Sequence, residues 1–241
     1  MAERPLTELA PRAVILTEPA ISAAPAVRAL SAQSTAPADV VVGNIEDVQR
    51  LEHDWVWLLD AGVVPDPGAL AALLAARKQL PAAVLLASRV LTTQGELDSV
   101  SLPVIAVHDP ARVLAALERR VVPLIAARRG SLLIRACDLT RRETGASGAS
   151  LRWSARLLRS QLGVLVPASV AVRSSGAQYH GAARRLAEEV GALAAVDRRD
   201  RLWLAAHLAE RALGRHPKPI ANAMQDGGNA RRGAGAGDVG Q

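Results

Sequence analysis

The stretch "DWVWLLDAGVVPDPGALAALL", Asp54 to Leu74, holds the acidic groups best placed to do chemistry. Asp60 closes the apolar run "WVWLL". A carboxylate there can contribute to a Mg²⁺ site, because that ion takes few protein ligands and completes its shell with phosphates and waters. The same aspartate can instead make loop or cap hydrogen bonds, and both readings stand. Asp66, beside Pro67, reads as a helix-start residue rather than a ligand. Asp54 reads as a solvated loop residue. His108 and His180 show no ligand spacing, and no Ser-His-Asp grouping, phosphate loop or dinucleotide fingerprint occurs. The one cysteine, Cys137, excludes an internal disulfide and a multi-cysteine metal site, and is expected to be a buried small hydrophobe.

The elements that must carry Asp60 alternate. "RAVILTE" and "ADVVVGN" read as strands around a helix, "PAVRALSAQ", the opening of a parallel sheet. "IEDVQRLEH" reads as a short helix before the strand "DWVWLLD", whose near-continuous apolar character suits cover on both faces. Trp55 and Trp57 then share one side. "VVPDPGALAALLAARKQL" reads as a proline-rich loop and a helix with Leu70, Leu73 and Leu74 on one face, and "AAVLLASRVLTTQGELDSV" as a strand entering a Gly-centred turn. "DPARVLAALERR" is a further helix, "VPLIAARRGSLLIRACDL" paired strands around Arg129-Gly130, "SLRWSARLLRSQL" a helix, and "GVLVPASVAVR" a strand pair with a central proline. The alternation gives an α/β class with residues 1–180 as one domain. Residues 181–216 read as helices only, with Leu186, Val190, Leu193, Leu204, Leu208 and Leu213 at helical spacing, and 217–241 as a disordered Gly/Ala/polar tail.

A chain of 241 residues, half of them hydrophobic, can bury a substantial core. Its apolar residues are mainly Ala, Val and Leu, with no Phe and one Tyr, a bias that fits a high-GC bacterial genome. The N-terminus lacks an apolar run behind a basic start, and no run approaches the ~20 residues of a bilayer span. Cytoplasmic placement is the expectation. The net charge of +6 comes from arginines interspersed with acids, which reads as solvated helix faces; a nucleic-acid partner is not expected.

The residues "WVWLLDAGVVPDPGALAALL" resemble the central signature of family-2 glycosyltransferases of the GT-A fold, and more narrowly of rhamnosyl- and galactofuranosyltransferase-like members. Two further blocks agree in order: "AAVLLASRVLTTQGELDSVSLP", and "GSLLIRACDLTRRETG" continuing through "SLRWSARLLRSQLGVLVPASVAVR". The match spans roughly residues 39 to 173. The resemblance implies a Rossmann-like, mostly parallel mixed sheet flanked by helices, with Asp60 outside the carboxyl end of a strand where open α/β sheets bind nucleotides. It implies a nucleotide-sugar donor, Mg²⁺ or Mn²⁺ at Asp60 against the diphosphate, and a cell-envelope glycan or lipid-linked acceptor. Trp153 lies where family members place an aromatic near the acceptor, while Arg152 and Arg156 can take a diphosphate in place of a metal. Each of these also has a plain reading: Trp153 under its helix, the arginines on a solvated face. For Trp55 and Trp57, core packing is favoured over sugar stacking.

Three departures accompany the resemblance. Ala61 and Gly62 follow Asp60 where further aspartates are usual. Arg152 stands where an acidic base is expected, and a guanidinium stays protonated at neutral pH. Only "NIEDVQRLEH" separates the second strand from the third, so a strand and helix that help hold the nucleotide base are missing. The expectation is therefore a transferase-like chain or a catalytically inactive homologue acting as a scaffold for an active enzyme. The C-terminal helices would offer a protein-docking face or peripheral contact with an anionic membrane.

Overall fold

The computed structural model describes residues 11–16, 21–43, 55–98, 104–105, 119–128, 130–139, 150–174, 201–202 and 205. The chain opens as β1 (Arg12–Leu16), α1 (Ala24–Ser31) and β2 (Val40–Gly43), with β1 and β2 parallel. Strand β3 (Trp55–Asp60) pairs with the other side of β1, also parallel, so Leu16 lies opposite Asp60. All six residues of β3 are buried, as its apolar run requires. Next come β4 (Val63–Pro65), α2 (Ala69–Gln79) and β5 (Ala83–Leu91); β6 (Val104–Ile105), β7 (Val122–Ala126) and β8 (Ser131–Arg135) follow, then α3 (Ser150–Leu157) and β9 (Leu162–Arg173).

These strands form one mixed sheet in the order β2-β1-β3-β8-β5-β9-β7-β6, with β4 added on β9. Besides the β1 pairings, β5 and β9 run parallel. Strand β8 is antiparallel to both β3 and β5, and β9 is antiparallel to β4 and β7. The α/β class and mixed sheet follow the sequence reading, but the antiparallel share is larger than a βαβ alternation implies.

Three local expectations are corrected. The segments on either side of Arg129-Gly130 are both strands, yet β7 pairs with β9 while β8 inserts between β3 and β5. They are not a hairpin. The segment "GVLVPASVAVR" lies within one strand, β9, rather than a pair. Its register against β5 jumps between Ser88↔Val166 and Arg89↔Val170, so Pro167 to Ser169 bulge out and the ladder resumes. The "VVP" of the expected proline loop also joins the sheet as β4. The helices expected at "IEDVQRLEH" and "DPARVLAALERR", the apolar positions of 181–216 and the tail lie outside the described residues, except that Arg201, Leu202 and Ala205 are helical and Leu202 is exposed.

Alternation divides the core into two layers. Ala13, Ile15, Trp55, Trp57 and Leu59 meet Leu30, Leu70 and Leu73 on the side of α1 and α2, so the two tryptophans share a face. Val14, Leu16, Val56 and Leu58 meet Leu85, Leu132, Ile134 and Trp153 on the side of α3. Leu74 packs half-buried beside Leu70 and Leu73. Burying each such leucine contributes ~1.5–3 kcal/mol.

Helix α2 begins after Gly68, which has no capping side chain. Gln33, just past α1, supplies the cap from a distance. Its Oε1 accepts from the Leu70 N–H (3.2 Å), while its Nε2 donates to the carbonyls of Asp66 (2.8 Å) and Ala29 (3.2 Å). Asp66 serves the helix through its backbone carbonyl, which accepts from Ala69 N–H at 2.9 Å. The turn after β5 depends on Gly95, whose φ of +83° is a conformation that side chains disfavour.

A chain of buried hydroxyls crosses the sheet from β3 to β9. Trp57 Nε1–H donates to Ser131 Oγ (3.0 Å), Ser131 and Ser88 hydroxyls lie 2.7 Å apart, and Ser88 and Ser169 lie 2.8 Å apart. Ser169 donates onward to the carbonyl of Ala69 (2.9 Å). Each hydroxyl has one proton, so the direction is fixed from the far end: Ser88 must donate to Ser169, and Ser131 to Ser88. The four strands β3, β8, β5 and β9 and the start of α2 are thereby joined without an unpaired proton.

Two stability tests follow. Gln33→Ala strips the α2 start of its cap and orphans the Asp66 carbonyl; chemical denaturation is expected to show a loss of ~1–3 kcal/mol. Ser88→Ala interrupts the hydroxyl chain at its centre and is expected to lose a similar ~1–3 kcal/mol by the same measurement, whereas Ser31→Ala, at an exposed hydroxyl on α1, is expected to stay within ~0.5 kcal/mol of the parent.

Candidate functional site

Asp60 sits at the carboxyl end of β3, as expected, but it is buried, at 3% exposure. The backbone around it is fully engaged. Asp60 N–H donates to the Gly130 carbonyl (3.0 Å), Ala61 N–H to Leu16 (3.2 Å), and Ser174 N–H to Gly62 (2.8 Å). The end of β3 is therefore stitched to β1, to the turn before β8 and to the end of β9.

The partner of the Asp60 carboxylate is an arginine. Arg173, the last residue of β9, places Nη2 3.3 Å from Asp60 Oδ2 and donates through Nε to Asp98 Oδ2 at 2.6 Å. All three side chains are nearly excluded from water, at 4–6% exposure. Asp98 is positioned by its own backbone, since its N–H donates to the Val90 carbonyl (2.9 Å) just beyond the Gly95 turn. Arg173 is positioned by the β4 ladder, opposite Val63. Such a buried cluster holds only because each charge has a partner; removing one would leave an uncompensated ion in a medium of low dielectric constant.

These residues do not fit a divalent cation as they stand. The Asp60 carboxylate faces a guanidinium, and Ala61 and Gly62 have no ligating side chains. Among the described residues, no group of three His, Cys, Asp or Glu side chains converges on a metal position.

The other expected site residues lie elsewhere. Trp153 is buried in the α3-side layer, and its Nε1–H donates to the Asp138 carbonyl at 3.3 Å. Asp138 follows Arg135, which pairs with Trp55 at the start of β3, whereas Ser131 pairs with Leu59 at the end that carries Asp60. Trp153 is thus anchored toward the opposite end of the sheet. Arg152 and Arg156 are exposed on the outer face of α3. That helix is tied to the end of β7 by Ser154, whose hydroxyl donates to the Ala127 carbonyl (2.7 Å) and accepts from the Ala127 N–H (2.9 Å). The Asp60 carboxylate is met from β9, by Arg173, which also reaches Asp98 in the turn after β5.

Cys137 is exposed, not buried. It lies in a short 3₁₀ turn, Ala136–Asp138, whose outward face it occupies. The turn is held by Arg135, which donates to Asp138 Oδ2 (2.7 Å) and to Gln161 Oε1 (2.8 Å). The hydrogen bond to Asp138 pushes the Arg135 pKa further up, against the lowering effect of burial. His108 and His180 lie outside the described residues.

Arg173 and Asp98 carry the site, and sequence reasoning missed both. A signal existed for Arg173. It ends the alternating run "SVAVR" on the same parity as Ser169 and Ala171, which marks it as inward-facing.

No protein-family model matches the chain and no curated protein matches it by sequence. Solved structures do match its fold. TarS from S. aureus, in a complex of residues 1–349 with UDP-GlcNAc, superposes with a TM-score of 0.55 at 10% identity, covering 82% of this chain and 71% of that one. A second crystal structure of TarS 1–349 gives a TM-score of 0.51 at 9% identity, covering 84% of this chain and 71% of that one. GalNAc-T7 with UDP, GalNAc and Mn²⁺ gives a TM-score of 0.50 at 11% identity, covering 76% of this chain and 47% of that one. With a mixed sheet flanked by helices and strands in this order, the chain has the GT-A-like fold of these glycosyltransferases.

Proposed function

We propose that this chain is a glycosyltransferase homologue that has given up metal-assisted sugar transfer and works as a binding or scaffold partner of an active enzyme. The single observation behind this reading is the commitment of Asp60 to Arg173. A nucleotide diphosphate becomes a competent leaving group when a cation offsets its developing charge. Here two buried carboxylates, Asp60 and Asp98, share the guanidinium of Arg173. Among the described residues no three metal-ligating side chains converge for a diphosphate-bound cation, and the Arg173 charge is already engaged with both acids. Arg152, where a general base is expected, cannot accept a proton. On this reading the chain acts in the cytoplasm, peripheral at the inner face of the membrane, where a partner enzyme would meet a lipid-linked acceptor. No helix among the described residues is long and apolar enough to cross a membrane.

A second reading keeps transfer of a sugar from a nucleotide-sugar donor to a cell-envelope glycan or lipid-linked acceptor. It is favoured by the exposure of Arg152 and Arg156 one turn apart on α3, which could hold a diphosphate without a metal. The structures of TarS with UDP-GlcNAc and GalNAc-T7 with UDP and Mn²⁺ direct the choice of ligands to try.

Calorimetric titration of the purified chain with UDP-, GDP- and dTDP-sugars, with and without Mg²⁺ or Mn²⁺, separates the two. The scaffold reading expects no binding of any donor and no release of nucleoside diphosphate. Donor binding that requires a divalent ion would overturn it. Metal-independent binding lost at least tenfold in Arg152→Glu/Arg156→Glu would establish the second reading instead.

A further inference from the structure

The backbones that carry the two acids at the sheet end are held by groups other than the arginine between them. The Asp60 backbone is fixed by Gly130 and by the β1 pairing, and that of Asp98 by Val90. Arg173 adds the charge, contacting one oxygen of each acid from adjacent nitrogens on one edge of its guanidinium. An oxygen of each acid therefore already points at a common place, and that place holds a positive charge. Arginine is a permanent monovalent cation whose nitrogens donate hydrogen bonds. A divalent ion such as Mn²⁺ or Mg²⁺ needs only one or two carboxylates, with water completing its shell. The same pair of acids can serve either, but not both at once.

We propose that Arg173 is an internal substitute for a divalent cation, and that Asp60 and Asp98 form a two-carboxylate cation seat which the arginine side chain fills. This rests on the preceding reading of Asp60 as the metal-position carboxylate and adds Asp98 and the identity of the occupant. The wild-type chain keeps its sheet end closed without metal. Shortening residue 173 removes the charge that both acids contact, and an ion of the Mn²⁺ class takes its place between them.

The test uses the full chain and reads Mn²⁺ uptake by electron paramagnetic resonance together with thermal unfolding in EDTA or Mn²⁺. Wild type is expected to bind no Mn²⁺ at this seat, and its Tm should be the same in both buffers. Arg173→Ala should melt lower in EDTA, bind one Mn²⁺ at least tenfold more tightly than wild type, and recover several degrees on adding it. Arg173→Lys, which keeps a cation, should melt nearer to wild type and ignore Mn²⁺. Adding Asp98→Asn to Arg173→Ala should weaken Mn²⁺ binding at least tenfold. The inference is overturned if folded Arg173→Ala takes up Mn²⁺ no better than wild type, or if the Asp98→Asn double variant binds it equally well. If Arg173→Ala does not fold in EDTA, Arg173→Met and Arg173→Ala are refolded with Mn²⁺. Recovery that depends on the ion supports the seat, and no recovery in either buffer overturns it. These readouts involve no donor sugar, so a wild-type chain that binds nucleotide-sugars with metal would sink the scaffold reading by a separate measurement.

Discussion

Arg173 links by charge three parts of the chain that backbone hydrogen bonds already bring close: the end of β3 at Asp60, the turn after β5 at Asp98, and its own strand β9. Desolvating two carboxylates and a guanidinium is costly, and the mutual attraction of the three repays that cost only where geometry is good. The backbone bonds from Asp60 to Gly130 and from Asp98 to Val90 supply that geometry. The cluster helps to fix where these strand ends lie, and it engages the Arg173 guanidinium with both acids.

The chain of hydroxyls shows how the sheet tolerates polar groups in an apolar setting. Ser131, Ser88 and Ser169 come from three different strands, and Trp57 and Ala69 end their chain of donors and acceptors. Every proton has one destination, so the network specifies a single arrangement of β3, β8, β5 and β9 relative to α2. A hydrophobic replacement at one position would leave its neighbours unpaired. The register of these strands is thus set by hydrogen bonds as well as by packing.

Much of the fold was legible because the apolar runs are strong. "RAVIL", "VVV" and "WVWLL" could only be strands, and their close succession around one short helix forces the parallel order β2-β1-β3. The order beyond β3 was hidden. Around Arg129-Gly130 the spacing of β7 and β8 imitates a hairpin, and nothing local reveals that β5 and β9, distant in sequence, lie between them. Pro167 likewise split one strand into two on paper. Asp60 was found because it terminates a run; its partners were missed because a lone arginine after "SVAV" and an aspartate after a glycine turn look like surface residues. The three serines carry no common sequence signal: Ser169 sits between Ala168 and Val170, but Ser88 precedes Arg89 and Ser131 follows Gly130. Cys137 misled in the opposite sense: an apolar strand precedes it, but the chain has already left the sheet.

The bulge in β9 decides which way Arg173 points. Before it, Val164 and Val166 face the layer of α1 and α2; after it, Ala171 does, so the alternation has changed from even to odd. Three residues, Pro167 to Ser169, absorb that change. A single insertion or deletion among them would turn Ser169's successors over and swing the guanidinium out of the interior. The length of this short link is therefore as much a condition of the buried ion cluster as the arginine itself, and only a change by two residues would keep the facing.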